Sequence, residues 1–81
     1  MELDVLKNAI KLVLQVYEKE IDIDSTFECD LGADSIDMMQ IIKCASDELD
    51  IEMEPTDFMD VKTVGDALDV IKKYTAGEEQ Q

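Results

Sequence analysis

An all-α fold is what this sequence predicts: a small bundle of three main helices and one short one. Three observations predict it. Apolar residues recur at helical spacing in three separate segments. The second and third segments are each preceded by short polar residues suited to helix caps. The one strand-like alternation, Ile21-Asp22-Ile23-Asp24, has no second strand to join.

The first helix is expected from Met1 to about Lys19. At about 100° per residue, Leu3, Leu6, Ile10, Val13, Leu14 and Tyr17 share one side. Val5, Ala9, Leu12 and Val16 widen that side to about half the circumference. Asp4, Lys7, Asn8, Lys11 and Gln15 hold the other side. So broad a stripe predicts packing against more than one neighbour, in a helix too polar for a membrane. Glu20 to Asp34 reads as a long extended connection, pinned where Phe27 and Leu31 insert into the bundle. Asp22 and Asp24 resemble the start of an EF-hand loop. Phe27 then stands where the turn Gly belongs and Ala33 where the bidentate Glu belongs, so at most weak surface calcium binding is expected.

Ser35 to about Asp50 reads as the second helix. Gly32 supplies a flexible backbone point just ahead of it. Asp34 or Ser35 can cap it, because a short side-chain oxygen accepts a bond from an N–H of the first turn. Asp37 stands three residues after Asp34, like the second half of a capping box. Met38, Ile41, Ile42, Ala45 and Leu49 form one apolar arc, with Met39 at its edge and Cys44 on its flank. Gln40, Lys43, Asp47 and Asp50 lie opposite. Ile36 falls among these polar residues beside the helix start, and it reads as an apolar contact for a partner. Asp37 and Asp47 would supply an acidic rim.

Within Ile51 to Val61, Pro55 suits the first turn of a short helix, with Phe58 or Met59 turned inward. Thr63 then starts the last helix, with Asp66 as a possible box partner. Val64, Ala67, Leu68, Ile71 and Tyr74 make its inner face, and Lys72 and Lys73 suit its C-terminal end. One domain, residues 1–76, is expected, followed by a frayed polar tail at 77–81.

Composition narrows the function. The 81 residues carry 21 acidic side chains against 7 lysines, a net charge of −14. Nucleic acid would be repelled, as would an anionic membrane surface. Proteins with basic patches would be drawn in by long-range attraction. With no His, a Cys/His zinc site is excluded, and Cys29 and Cys44 offer neither a disulfide framework nor metal spacing. No apolar run is long enough to span a bilayer and no basic-then-apolar leader is visible, so a cytoplasmic protein with free thiols is expected. The many carboxylates spread along solvated faces, and no triad is evident, so no enzyme is expected.

One hydroxyl stands out. Ser35 is held at the positive end of a helix, in or near solvent, where an attached phosphate would meet free N–H groups. It has no nearby base, so it reads as a substrate of modification and not as a nucleophile. Leu31-Gly32-Ala33-Asp34-Ser35-Ile36-Asp37 resembles the phosphopantetheine attachment motif of acyl carrier proteins, usually L-G-A-D-S-L-D. Ser25, Thr26, Phe27 and Asp30 resemble that family's approach loop. Ala45, Asp47, Glu48 and Leu49 resemble the end of its second helix, and Lys62-Thr63-Val64 the lead into its last. The resemblance covers about Leu3 to Tyr74.

The resemblance implies an up-and-down arrangement of the helices. It implies 4'-phosphopantetheine, attached through a phosphodiester to Ser35 by a phosphopantetheinyl transferase, beside Gly32 and Asp34. Acyl groups would ride on its terminal thiol between acyl-loading and acyl-processing enzymes with basic docking patches, and the carrier would be a monomer. Those enzymes would meet Ile36, Asp37, Gln40, Lys43 and Asp47. Between visits the acyl chain would tuck into the core beside Met38, Met39 and Ala45; ordinary close packing at Ala45 is the competing reading. Ile36 replaces the family's usual Leu. Gln40, Lys43 and Ser46 sit where fatty-acid carriers tend to show Glu, an apolar residue and Glu. Polyketide or aminoacyl cargo, such as alanine, is therefore an alternative to fatty acid biosynthesis. An unmodified acidic interaction module is the alternative from another class.

The charge excess has a consequence for stability. Self-repulsion among 21 acidic groups should weaken the fold at low ionic strength. Added salt or a divalent cation should raise the melting temperature, and melting curves that stay flat from low to high salt would contradict this.

Overall fold

Helix α1 (Glu2–Leu14) stops well before Lys19, the end that the periodicity predicts. The cause is local. Gln15 takes a left-handed conformation, φ 56°, and its N–H closes the last turn on the Lys11 carbonyl at 2.9 Å. A short 3₁₀ turn, Glu18–Glu20, follows, and the sequence reading did not anticipate it. The early stop corrects the expected apolar face. Tyr17 lies beyond the helix and is exposed, and so is Leu12, on the outer edge of the stripe. Leu6, Ala9 and Ile10 are the residues of α1 that are fully buried.

The structure is a computed structural model, and it describes residues 2–76. The tail at 77–81 lies outside the described residues. Two further helices complete the bundle, α2 (Ser35–Leu49) and α3 (Val64–Thr75). Helix α1 packs against both in an up-and-down, all-α arrangement. The expected short helix is one 3₁₀ turn, Pro55–Phe58, with Pro55 in its first turn. Phe58 points inward and Met59 outward, which decides between the two. Leu6 and Ile10 of α1, Ile41 of α2, and Val64 and Ile71 of α3 are almost wholly enclosed at the centre. The inner face expected for α3 is buried at all five positions.

The connection from Ile21 to Asp34 is not the extended loop expected but a chain of turns at 23–24 and 27–30. Bonds from Ser25 N–H to the Asp22 carbonyl, and from Asp30 and Leu31 N–H to the Thr26 carbonyl, close it. Phe27 and Leu31 are buried, as expected. Ile21 is buried with them, whereas Ile23 is half exposed against Gly65. The loop docks on the start of α3. Val64 N–H donates to the Ser25 carbonyl and Gly65 N–H to the Ile23 carbonyl, each at 2.9 Å. Phe27 N–H donates to the Lys62 carbonyl at 2.9 Å, beside an isolated antiparallel bridge between Thr26 and Thr63. Helix starts leave N–H groups without partners, and here loop carbonyls take two of them. Gly65 lets the loop approach closely, and any larger residue there would force the Ile23 side chain to shift. A Cβ there would stand 2.7 Å from the Ile23 side chain.

Thr63 caps α3. Its hydroxyl accepts from Asp66 N–H at 3.1 Å, and the Asp66 carboxylate accepts in return from the N–H groups of Thr63 and Lys62. Those backbone bonds hold the Asp66 carboxyl below the usual carboxylate range. Folding thus favours its charged form. That contribution is complete above the ordinary carboxylate value and fades as pH falls through the lowered one. Replacing Thr63 with Ala should cost about 1 kcal/mol. In a domain of this size the melting temperature should then drop by roughly 4–8 °C. An unchanged urea midpoint would show that the cap contributes nothing.

Candidate functional site

Gly32, Asp34, Ser35 and Asp37 meet at the start of α2. Gly32 has φ 71°, a left-handed conformation that L side chains rarely adopt. Ahead of it, Thr26 and Asp30 close the loop reciprocally. Thr26 N–H donates to Asp30 Oδ2 at 2.8 Å, and Asp30 N–H donates to Thr26 Oγ1 at 3.0 Å. Ala33 N–H then donates to the Phe27 carbonyl at 2.7 Å and its side chain is buried. The chain therefore reaches Asp34 from a fixed direction.

Asp34, and not Ser35, is the cap. Asp34 Oδ1 accepts from Asp37 N–H at 2.9 Å, and Asp37 Oδ2 accepts from Asp34 N–H at 3.3 Å. The box is complete even though Asp is shorter than the usual Glu. Ser35 becomes the first helical residue and is exposed. Its hydroxyl is left free of cap duty. Among the described residues, the N–H groups of Ser35 and Ile36 meet no protein acceptor. They can receive phosphate oxygens at the positive end of the helix. The two carboxylates close by oppose capture of a free anion, so the setting suits a phosphate held by a covalent bond.

Beside Ser35 opens a groove of about 720 Å³. Loop 26–29, the first turns of α2 and the segment 55–62 line it. Its apolar lining includes Met38, Met39, Phe58 and Met59. Below it, at the centre of the bundle, lies a void of about 10 Å³ that Ala45 helps to line. Phe27, Met38, Ile42 and Phe58 face both spaces and form the partition between them. A phosphodiester on Ser35 and an extended flexible arm laid in the groove fit these residues.

The remaining predicted contacts lie elsewhere. Ile36, Gln40, Lys43 and Asp47 form one exposed strip along α2, outside this groove. Ile36 is 65% exposed. Lys43 and Asp47 approach within 3.9 Å, an exposed pair of little energetic worth. Asp37 is half-buried and engaged in the cap. Sequence reasoning did not assign Cys29, Met59 or Lys62 to the site, yet all three line the groove. Met59 carried a usable signal: with Phe58 inward, its neighbour on a tight turn must face out.

Comparison with known proteins agrees with this geometry. A family model described as "Phosphopantetheine attachment site" matches residues 4–71. Acyl carrier proteins of Clostridium perfringens are 43% identical over 72 residues, covering 89% of this chain and 95% of theirs. That of Clostridium acetobutylicum is 37% identical over 75 residues, covering 93% and 97%. A solved structure from Mycobacterium tuberculosis, described as an acyl carrier protein candidate, superposes with a TM-score of 0.80 at 27% identity. It covers 91% of this chain and 99% of its own. With the attachment domain matched over most of its length, this chain belongs to the acyl carrier protein family.

Proposed function

We propose that Ser35 carries 4'-phosphopantetheine and that the protein shuttles acyl groups between enzymes of fatty acid or related biosynthesis. The observation that carries this reading is the free Ser35 hydroxyl, on the first residue of a helix whose cap is already made by Asp34. When bound, the arm supplies a terminal thiol able to hold acyl groups as thioesters. The chain's own residues do the rest. Gly32 and the Asp34–Asp37 box hold Ser35 in a fixed place where a phosphopantetheinyl transferase can reach it. Met38 and Met39 offer adaptable apolar surface to an arm lying in the groove. No residue of this chain need act as acid or base.

Partners are drawn in by the overall negative charge, through basic docking patches. They meet the strip from Ile36 to Asp47, which is apolar at its Ile36 end and whose charges largely cancel through Lys43. Ile36 would be the buried anchor. This weakly charged strip favours a second reading of the cargo, polyketide or aminoacyl. We further propose a cytoplasmic monomer that is not itself an enzyme.

Two measurements test the reading. Incubated with a broad-specificity phosphopantetheinyl transferase and coenzyme A, the protein should gain the mass of one arm. Ser35→Ala should gain none. No gain by the unaltered protein would leave an acidic interaction module. Once the arm is acylated, chemical shifts around Ala45 should move as the chain enters the core. Shifts that stay fixed with several chain lengths would dismiss an internal pocket.

A further inference from the structure

The two walls of the groove are held very differently. The wall made by loop 26–29 is continuous with backbone bonds to Lys62, Val64 and Gly65 and with the Thr26–Thr63 bridge. The opposite wall, 55–62, is tied to that loop at its Lys62 end, but the short helix Pro55–Phe58 within it has no such anchorage. Within residues 52–61, the backbone bonds recorded outside α1–α3 are local: Asp57 to Glu54, Met59 to Thr56 and Val61 to Phe58. Among the described residues, the hydrogen bonds that cross from this segment to the helices end on one atom, the Tyr74 hydroxyl near the end of α3. It accepts from Glu54 N–H at 3.0 Å and donates to Asp57 Oδ2.

That atom lies where it can control the segment. Glu54 is the residue before the short helix, and its side chain makes no cap bond. The phenol takes up its N–H instead. Asp57 belongs to the short helix itself, so the phenol grips it at two points. Tyr74 is buried, so its ring is fixed by the core and only its oxygen reaches across. Phe58 rides on the gripped segment and is one of the four side chains that part the groove from the inner void. The void, at about 10 Å³, is far too small for an acyl chain. Anything longer must first displace the partition. Phe27 cannot yield easily, because its backbone is tied to Lys62. Met38 and Ile42 are fixed on α2. Phe58 is the member whose backbone can move.

We infer that Tyr74 is a positioning residue: its hydroxyl latches the short helix shut, and release of that latch swings Phe58 away from the core. That this swing admits cargo from Ser35 rests on the function proposed above. The latch itself does not, and the two can fail separately.

Native-state hydrogen exchange on the full chain tests the latch. Tyr74→Phe keeps the ring and removes the oxygen. Losing two bonds, one of them to a carboxylate, should speed exchange of residues 52–61 by about tenfold or more. Amides of Ile41, Ile42 and Ala45 should change by less than about threefold. Asp57→Ala leaves the core untouched and should speed the same segment to a lesser degree. It keeps the test decisive should Tyr74→Phe fold poorly. Unaltered exchange at 52–61 in Asp57→Ala and in a folded Tyr74→Phe overturns the latch. So does acceleration spread evenly over the chain, which would mean ordinary loss of stability. In protein acylated on its arm with a long saturated chain, the Phe58 ring signals should shift more in Tyr74→Phe than in the unaltered protein. Faster exchange with Phe58 signals unmoved by acylation in either protein keeps the latch and removes the groove as the cargo's route.

Discussion

The backbone bonds between the long loop and the start of α3 are the constraint on which the rest depends. Gly65 and Val64 donate to the carbonyls of Ile23 and Ser25, and Phe27 donates to that of Lys62. These bonds satisfy groups at a helix start that would otherwise need water. They also fix a loop that has no regular structure of its own. From there Phe27, Leu31 and Ala33 are buried in turn, and the chain is delivered to Asp34. The capping box sets the last few ångströms. Ser35 stands where it does because α3, far along the sequence, holds the loop that leads to it.

Much of this could be read from residue order alone. The caps were legible because each needs only a short polar side chain and a second one three residues on. Asp34 with Asp37 and Thr63 with Asp66 met that rule, and both boxes are formed. The inner face of α3 was legible for the same local reason, a helical spacing uninterrupted from Val64 to Tyr74. The end of α1 was not. Gln15 gives no sign that it will turn left-handed, so the spacing was followed past a stop that Leu14 already marks. The groove was not legible either, since its lining comes from three stretches that meet only in the fold. Nor was the grip of Tyr74 on Glu54 and Asp57. In the sequence Tyr74 is one more apolar position on a stripe, and its oxygen matters only because the short helix lies within reach.

Charge and shape divide the labour on this surface. The excess of 21 acidic groups over 7 lysines acts at a distance and asks little of individual positions. Close contact is another matter. The exposed strip of α2 is led by Ile36 and holds the opposed charges of Lys43 and Asp47. Met39 and Met59 stand exposed at the groove beside it. On the docking face proposed above, attraction would bring a basic partner near, while largely uncharged side chains would be what it touches. Discrimination among partners would then lie in apolar fit more than in charge, since Met side chains adapt their shape readily.

The docking of the loop on α3 also carries a consequence for biosynthesis. Contacts between residues 23–27 and 62–65 join distant parts of the chain, and such pairings form late. On the ribosome, Ser35 emerges long before the residues that set its surroundings. Any enzyme that reads the finished shape around Ser35 would therefore have to wait for translation to reach α3. The surroundings of that serine are thus complete only once α3 has been made and has docked on the loop.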